Sequence, residues 1–323
     1  MTHAAAEAPT AMPSLVIREQ LPGEIAHHYD SGGGDYILST ANRFTVFRQG
    51  RENRFEVPLR TSRKLFSFSR VTRRLMRIDK SNAVFNKQRD GVVVLYDGVI
   101  YFFDLVRKSL AVVGRLTQCR NVLHGGIAVT DHGIYFGEYG ANTTREAVPI
   151  WRSRGGGRTL EIVYRFSAGS VRHIYGGYLA PHTNSLWVPT GDFAGECFIA
   201  EAKDPDFCEV NFHGDGTQKW RTVGLVFEPD RIVWVMDSQL ETSHLESFDR
   251  KTGALREYRA FPGPVWYCKQ MADGVVLLQS TVEIGAGVLS DHAHVFMSDN
   301  GNRWHEVARW RKDSLPMPYF KSG

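Results

Sequence analysis

The chain has 323 residues, of which 42% are hydrophobic and 23% are charged, and its formal net charge is only +4. These values exclude a chain that is disordered throughout, and they allow one large β domain or two smaller ones. Aromatic residues make up 12% of the chain and there are 31 glycines, which favours strands and tight turns over helices.

Residues 1–30 lack a basic stretch followed by a long apolar core, so we expect no signal peptide. No run approaches the roughly 20 apolar residues that span a bilayer, so no transmembrane segment is predicted. The four cysteines, Cys119, Cys197, Cys208 and Cys268, show no paired spacing, which favours a reducing compartment. We therefore predict a cytoplasmic protein with a flexible N-terminal segment, 1–34.

Residues 43–89 carry fourteen Lys or Arg against three acids. Such a segment could face an anionic glycan, nucleic acid or a membrane surface. Alternatively, its arginines form the solvent-facing half of alternating strands, as in RFTVFRQGRENRFEV, and the lack of a one-sided charge pattern favours this second interpretation. The segment has no stacking module or groove-reading motif, so no nucleic-acid partner is predicted.

A unit of roughly 45 to 50 residues recurs along the chain, and this is the period of propeller blades. Each unit opens with an apolar strand, a turn rich in Asp, Gly, Pro or Asn, and a second apolar strand that often contains Trp or Tyr. The openings are NAVFNKQRDGVVVLYDGVIYFFDL (82–105), NVLHGGIAVTDHGIYFGEYGAN (121–142), RHIYGGYLAPHTNSLWVPTGD (172–192), WRTVGLVFEPDRIVWVMDS (220–238) and PVWYCKQMADGVVLLQSTVE (264–283).

Two further extended runs follow each opening, so each unit has four strands, and DYILSTANRFTVFRQGRENRFEVPL adds a sixth, less regular unit. The sequence therefore predicts an all-β, six-bladed β-propeller with four-stranded antiparallel blades. It forms a single domain, 35–311, followed by a C-terminal tail, 312–323. Two β-sandwich domains are the alternative, but they do not explain the constant unit length. We expect early and late strands to pair and close the ring, because an open end would expose a sheet edge.

One turn has a more specific signature. MSDNGNRWHEV, residues 297–307, resembles the Asp-box of sialidase-like propellers, with Asp299, Gly301 and Trp304 at the matching places and Met297 where that family has Ser or Thr. In such a turn the carboxylate accepts backbone N–H groups and the tryptophan packs between sheets. SRGGGRTLEIV, FDRKTGALREY and AKDPDFCEV are weaker copies.

The stretches LHGG, GEYGANTTREAV, RHIYGG, TGDFAGEC and QKWRTVGL resemble bacterial sialidase-superfamily proteins with BNR repeats, which are often labelled glycosyl hydrolases. The resemblance covers about residues 75–311 and implies a six-bladed fold and carbohydrate chemistry. A sialidase also has an Arg-Ile-Pro stretch and a Tyr-Glu couple, and the nearest match to the first is Arg77-Ile78-Asp79. A fold by itself does not carry a function.

Acidic residues just beyond the second strands should meet at one mouth of the ring. A pair of carboxyl groups there could hydrolyse a glycosidic bond, one giving a proton to the leaving oxygen and the other attacking or activating water. Our candidates for the catalytic carboxylates are Glu138, Asp192 and Asp237. The alternative is that these residues only cap turns, as Asp commonly does after strands.

Polar residues of the innermost strands should converge at the same mouth and bind the substrate. The predicted substrate-binding residues are His124, Arg145, Arg172, His173, Tyr175, Arg221 and Tyr267. The three arginines could hold a carboxylate or sulfate on an acidic sugar by bidentate bonds, and the resemblance implies the same, since sialidases use arginines for the sugar carboxylate. The alternative for the two histidines, which lie beside glycines, is a packed channel position.

Three function classes stay open at this point, and whether the chain is an enzyme is among them. The first is glycoside hydrolysis of an oligosaccharide or polysaccharide. The second is a polysaccharide lyase in which His124, His173 or Tyr175 abstracts a proton beside a uronate carboxylate. The third is a non-catalytic propeller that binds glycan or protein. No cofactor is predicted, and no metal site, because the channel strands lack closely spaced histidine pairs.

Overall fold

The computed structural model of the chain describes residues 24–30, 34–271, 274–298, 303–317 and 319. Within these ranges, 24 β-strands form six antiparallel sheets of four strands each. Each sheet consists of four strands that are consecutive in the chain. The predicted all-β fold, a six-bladed β-propeller with four-stranded blades, is therefore confirmed.

The blades follow one another in chain order. Blades 1 to 3 contain β1 (Ile25–Tyr29), β2 (Tyr36–Thr40), β3 (Arg43–Arg48), β4 (Arg51–Glu56), β5 (Ser81–Phe85), β6 (Gly91–Tyr96), β7 (Val99–Asp104), β8 (Ser109–Arg115), β9 (Ile127–Thr130), β10 (Gly133–Gly137), β11 (Val148–Arg154) and β12 (Thr159–Phe166). Blades 4 to 6 contain β13 (Tyr178–Leu179), β14 (Leu186–Pro189), β15 (Cys197–Ala202), β16 (Val210–Gly216), β17 (Val226–Phe227), β18 (Arg231–Val235), β19 (His244–Asp249), β20 (Leu255–Ala260), β21 (Val265–Gln270), β22 (Val276–Ser280), β23 (His292–Ser298) and β24 (His305–Arg311).

The first strand of each blade lies toward the centre of the ring. First strands of neighbouring blades contact each other, β1 with β5, β5 with β9, β9 with β13 and β17 with β21. The strand β1 lies before residue 35, where the sequence analysis placed the start of the propeller. It pairs with β2, from Ile25 opposite Ser39 to Tyr29 opposite Tyr36, and so completes blade 1.

In blades 2 to 5 the second and third strands are buried on both faces, whereas the fourth strand is largely exposed. In blade 2 every residue of β6 and β7 is buried, and β8 is exposed or half-buried. The near-continuous apolar sequences GVVVLY and VIYFFD follow from this arrangement, because neighbouring blades cover both faces of the inner strands. Each fully buried side chain of this kind stabilises the fold by about 1.5–3 kcal/mol.

The expected closure of the ring by pairing of early and late strands is wrong for the residues that the structure describes. Blade 1 is built from β1 to β4 alone, and blade 6 from β21 to β24 alone. The segment after blade 6 instead contacts the connection between blades 1 and 2 through an ion pair, in which Arg74 Nη1 lies 2.9 Å from Asp313 Oδ2. Each sheet is already complete with its own four strands, so no late strand is needed to fill blade 1.

Turns between third and fourth strands use carboxylates in the way the Asp-box pattern indicates. The Oδ1 atoms of Asp104 and Asp249 each accept backbone N–H groups two and three residues further on, at 2.8 to 3.0 Å. Of the Asp-box itself, Trp304 is buried in the core of blades 5 and 6. Asp299 and Gly301 lie outside the described residues.

The connection between blades 1 and 2 carries two short helices, α1 (Thr61–Lys64) and α2 (Arg70–Leu75). Neither helix contains a buried residue. We call residues 60–77 the basic insert, since they include seven Lys or Arg and no acid. Among the described residues, no helix is long and apolar enough to cross a membrane.

Candidate functional site

A cavity of about 1050 Å³ lies at one end of the propeller, and we call it the central chamber. Its walls come from residues just before the first strands and just after the second strands, together with part of the basic insert. The propeller topology brings these positions together from different blades, as the sequence analysis expected for one mouth of the ring. A separate groove of about 320 Å³ lies between the outer strands β16 and β20.

Arg221 is the centre of a buried charge cluster at the base of the central chamber. Its Nη2 atom lies 2.8 Å from Asp192 Oδ1 and 3.4 Å from Asp237 Oδ2. Its Nε–H donates to the Tyr175 hydroxyl at 2.7 Å, and this hydroxyl donates to Asp192 Oδ1 at 2.9 Å. Arg172 donates to the other oxygen of Asp192. Two carboxylates from neighbouring blades thus share one guanidinium.

The polypeptide turns place these groups at equivalent points of blades 4 and 5. Asp192 follows β14 and Asp237 follows β18, so the Gly-Asp and Asp-Ser endings of the two units lie side by side. Gly191 has φ +120°, and a Cβ there would lie 2.7 Å from Cys197 Sγ. Only glycine fits this close approach without strain, and it sets the direction in which Asp192 projects.

The two carboxyl groups have pKa values that lie on opposite sides of the ordinary value. Burial alone would raise the pKa of Asp192, but Arg221, with smaller effects from His173, Tyr175 and Arg172, holds it below the usual range. Burial raises the pKa of Asp237 to about 7 in spite of Arg221, and Glu283 and Asp192 add to the rise. Asp192 is therefore ionised at neutral pH, whereas Asp237 is partly protonated.

His173 lines the central chamber beside this cluster. Its Nδ1 atom lies 3.0 Å from the carbonyl oxygen of Gly140, so Nδ1 carries the proton and Nε2 carries a lone pair. Nε2 is buried without a hydrogen-bond partner and lies 3.9 Å from Asp192 Oδ1. Burial lowers the pKa of His173 to about 4. The ring of Tyr139 packs on it with 4.2 Å between centroids.

His124 and Tyr267 form another part of the chamber wall. Their rings meet edge to face with 6.1 Å between centroids. The other neighbour of His124 is His27 of β1, at 5.4 Å. Burial lowers the pKa of His124, and the pKa of His27 falls to about 3 through burial and the nearby His124. Both histidines are therefore neutral at physiological pH.

Glu138, one of the predicted catalytic residues, has a carboxylate that is fully hydrogen-bonded within the protein. It accepts hydrogen bonds at 2.7 to 3.2 Å from the backbone of residues 117–119, from the Thr117 hydroxyl and from the indole of Trp151. Glu138 is 1% exposed and does not line the central chamber. Its geometry is that of a residue that fixes the loop before blade 3.

Two predicted substrate-binding residues also lie outside the chamber wall. Arg145 bonds to Glu196 Oε1 at 2.5 Å and to the carbonyl oxygen of Asn142 at 2.9 Å. Tyr175 is fully buried, and its hydroxyl is shared between Asp192 and Arg221. Tyr175 therefore orients the charge cluster and is not exposed to the central chamber.

Sequence reasoning missed several residues of the site. Gln218 joins the charge cluster from behind, since its side-chain oxygen accepts bonds from Ser238 Oγ at 2.8 Å and from Arg221 at 3.3 Å. Arg77 and Arg120 line the central chamber and have no ion-pair partner among the described residues. The run QKWR and the basic segment 43–89 were visible signals, but neither shows which side chains reach the chamber.

Comparison with known proteins adds support for the fold. No protein-family model matches the chain, and no curated protein matches it significantly. A solved structure of puromycin hydrolase matches at a TM-score of 0.56 and 12% identity, covering 92% of this chain and 47% of that one. An extracellular domain from B. thetaiotaomicron, described as part of a hybrid two-component system, matches at 0.54 and 10%, covering 93% and 35%.

A chain in a crystal structure of the mitotic checkpoint complex matches at a TM-score of 0.53 and 8% identity, covering 94% of this chain and 90% of that one. This chain spans about a third of the bacterial extracellular domain and about half of puromycin hydrolase. At these identities the likeness shows the fold alone. The protein is thus a six-bladed β-propeller with a buried carboxylate–guanidinium cluster below a basic chamber. No comparison assigns it to the sialidase superfamily.

Proposed function

We propose that the chain binds an acidic saccharide in the central chamber. The observation that supports this most strongly is the excess of cationic side chains in the wall, two of which have no counter-ion among the described residues. Eight Lys or Arg and four Asp or Glu line the chamber. They are Arg63, Arg73, Arg74, Arg77, Lys80, Arg120, Arg172, Arg221, Asp79, Asp97, Asp192 and Glu283.

Ion pairs within the protein neutralise part of this charge. Arg63 pairs with Asp97, and Arg73 pairs with Asp79. Arg77 has no such pair among the described residues, and neither does Arg120. A planar guanidinium binds a carboxylate or sulfate through two parallel hydrogen bonds, so these two arginines are suited to an anionic group on the ligand.

The rest of the chamber wall suits the hydroxyl groups and apolar faces of sugar rings. The half-buried Trp266 and the exposed Tyr267 present aromatic surface. Gln239 also lines the chamber, and its buried side-chain oxygen has no hydrogen-bond donor in the structure. A few polar groups set among aromatic side chains are the usual composition of a small-molecule site. Anion, hydroxyl and ring contacts together indicate an acidic carbohydrate.

Hydrolysis by the pair Asp192 and Asp237 has weaker support from the geometry. Both carboxyl groups contact Arg221, and their pKa values are moved apart as an acid and base pair requires. However, both oxygens of Asp192 are bonded within the cluster, and Asp237 is not part of the chamber wall. A substrate would have to displace these bonds before either group could act.

Cleavage by elimination is the second candidate, and His173 is the observation that favours it. Its unprotonated Nε2 is a base next to the chamber, and its low pKa keeps it neutral at pH 7. In this reaction Nε2 accepts the proton from the carbon beside a uronate carboxylate. The C–H electron pair forms the C=C bond, the glycosidic C–O bond breaks, and the leaving oxygen takes a proton from water.

Calorimetric titration with a panel of acidic and neutral oligosaccharides tests the binding proposal. We expect wild type to bind acidic members, and the double variant R77Q/R120Q to bind them at least about tenfold more weakly because two charge-assisted contacts are lost. The matched control is R115Q, an exposed arginine at the end of β8, which should bind as wild type. Equal affinity of wild type and R77Q/R120Q for every member would contradict the proposal.

The same panel separates the modes of cleavage. Elimination produces an unsaturated sugar that absorbs ultraviolet light, whereas hydrolysis produces new reducing ends without that absorbance. If His173 is the base, H173Q abolishes the absorbing product and leaves affinity within about threefold of wild type, since it removes one acceptor. Loss of new reducing ends in D192N, with no absorbing product in wild type, would support hydrolysis instead.

A further inference from the structure

The basic insert carries an unusual amount of exposed apolar surface. Leu65 is 79% exposed and Phe68 is 86% exposed. Other apolar side chains of the insert are also exposed, namely Phe66, Val71, Leu75 and Met76. Single exposed apolar residues are ordinary, but a contiguous group of them on one short segment marks an interaction surface.

The charge on the insert is entirely positive. No Asp or Glu occurs between residues 57 and 78, a range that contains seven Lys or Arg. Lys64 and Arg70 are exposed and have no ion-pair partner among the described residues. Exposed cations without a counter-ion are available to an anionic partner, and exposed phenylalanine and leucine side chains are poorly hydrated. Both features favour a partner that offers negative charge and an apolar interior.

The insert is attached firmly to the propeller, so its apolar side chains are held outward. Arg60 Nε and Arg63 Nη1 lie 2.7 and 3.3 Å from the carboxylate of Asp97 in blade 2. Arg74 pairs with Asp313 after β24. Ile78, directly after the insert, is fully buried. These contacts fix the base of the segment and leave residues 64–71 projecting from the surface.

We propose that the basic insert docks on a membrane surface that contains anionic lipids. The cations contact the phosphate headgroups, while Leu65 and Phe68 enter the boundary between headgroups and acyl chains, as in peripheral amphipathic segments. Nucleic acid matches the charge equally well. It offers no apolar phase for the six exposed aliphatic and aromatic side chains, which lie in the loop between the two helices, on α2 and directly after α2.

Docking of the basic insert places the central chamber close to the surface of the bilayer. Leu75 and Met76 belong to the insert and also line the central chamber. The chamber therefore borders the docking surface, and a membrane-bound molecule has an entrance near the headgroups. The proposal concerns the insert alone and does not depend on which ligand the chamber holds.

Co-sedimentation of the full chain with vesicles tests this proposal. The vesicles are phosphatidylcholine alone, or phosphatidylcholine mixed with phosphatidylglycerol. We expect binding only to the mixed vesicles, and weaker binding at high salt because exposed charges are screened. K64E/R70E should lower the affinity at least about 25-fold, since each basic residue near an anionic surface contributes about fivefold.

The apolar contribution is measured with L65S/F68S, for which we expect a loss of at least about tenfold. The matched control is V106S/V112S, two exposed valines of blade 2 outside the insert, which should bind vesicles as wild type. Because all four side chains are exposed, thermal unfolding of both variants should stay at the wild-type temperature. That measurement separates lost docking from lost folding.

Three results would overturn the proposal. One is failure of wild type to sediment with mixed vesicles. Another is wild-type vesicle affinity in L65S/F68S, which would mean that the apolar side chains do not enter the bilayer. The third is absence of vesicle binding together with tight binding of duplex DNA or RNA, or with self-association that L65S/F68S abolishes, which would assign the surface to nucleic acid or to a second copy of the chain.

Discussion

The base of the central chamber and the basic insert both concentrate arginine, but they use it in opposite ways. At the base, Arg221 is buried and bonded to two carboxylates and a hydroxyl. In the insert, Arg70 and Lys64 are exposed and unpaired among the described residues. A buried cation without hydrogen-bonding or ion-pair partners would destabilise the fold, because its desolvation would not be offset. An exposed one is held by water and stays available to a ligand.

The comparison makes a general point about interpreting charge. Buried ion pairs contribute to the stability of the fold. Accessible unpaired charges are available to bind a ligand. Substitutions at the base should therefore change stability, and substitutions in the insert should change binding.

Replacement of Arg221 by leucine should lower the stability of the fold more than any other substitution considered. The change leaves Asp192 and Asp237 buried without their shared cation, which costs about 3–5 kcal/mol of unfolding free energy. Urea unfolding at neutral pH measures the loss. The control R115L removes an exposed arginine and should cost less than about 0.5 kcal/mol. A loss below about 1 kcal/mol in R221L would mean that the cluster contributes little to the fold.

The pH dependence of stability should carry the signature of Asp237. Its pKa is about 7 in the folded protein and 3.8 in the reference state. The folded state thus binds the proton more tightly, so this contribution is complete below about pH 4 and is lost as the pH rises through about 7. The variant D237N has no carboxyl group at residue 237, so its stability does not fall for this reason as the pH rises. Its stability relative to wild type should therefore improve between pH 4 and 8, by an amount on the order of a few kcal/mol.

Urea unfolding of wild type and D237N across that pH range provides the check. H244Q is a suitable control, since His244 lies in β19, away from the chamber wall. A stability difference between wild type and D237N that does not change with pH would show that Asp237 titrates in the folded state as it does in the unfolded chain.

Substitution of Gly191 by alanine tests the turn that orients Asp192. The new Cβ would approach Cys197 Sγ to 2.7 Å at a φ of +120°, and we expect a loss of about 2–3 kcal/mol together with weaker ligand binding. The control is G169A, which also has a positive φ but no atom within 4 Å of the new Cβ. It should cost about 1 kcal/mol. Equal losses would mean that close packing at residue 191 is unimportant.

The smallest effect on stability is expected in the insert. K64Q/R70Q removes two exposed cations that make no ion pair among the described residues, so the unfolding free energy should stay within about 0.5 kcal/mol of wild type. Binding to anionic vesicles should nevertheless fall. A marked loss of stability in this variant would contradict the division between the two regions.

The sequence predicts the architecture better than the site. Each repeat can be recognised within a short stretch of sequence, whereas the partners of a side chain in the site are distant in the sequence. The hairpin openings from residue 82 to 283 each became the first strands of a blade. The Gly-Asp and Asp-Ser endings also met, as expected from equal positions in neighbouring repeats. Nothing in the spacing around Glu138, however, shows that its carboxylate binds residues 117–119, in the loop between blades 2 and 3.

The sequence pattern also does not predict which of these polar side chains are exposed. Arg172, Arg221 and Tyr175 look equivalent as polar residues near inner strands, yet Tyr175 is wholly buried and Arg172 reaches the chamber. The exposed apolar surface of the insert was not predicted, for the same reason. Its leucine and phenylalanine side chains suggest burial in the sequence, and only the fold shows that they face outward.

A crystal structure of the chain with the tightest-binding acidic oligosaccharide would test the central claim most directly. We expect the sugar in the central chamber, with its anionic group bonded to Arg77 or Arg120 and a ring against Trp266 or Tyr267. A sugar bound instead in the groove between β16 and β20, with the chamber free of ligand, would contradict it.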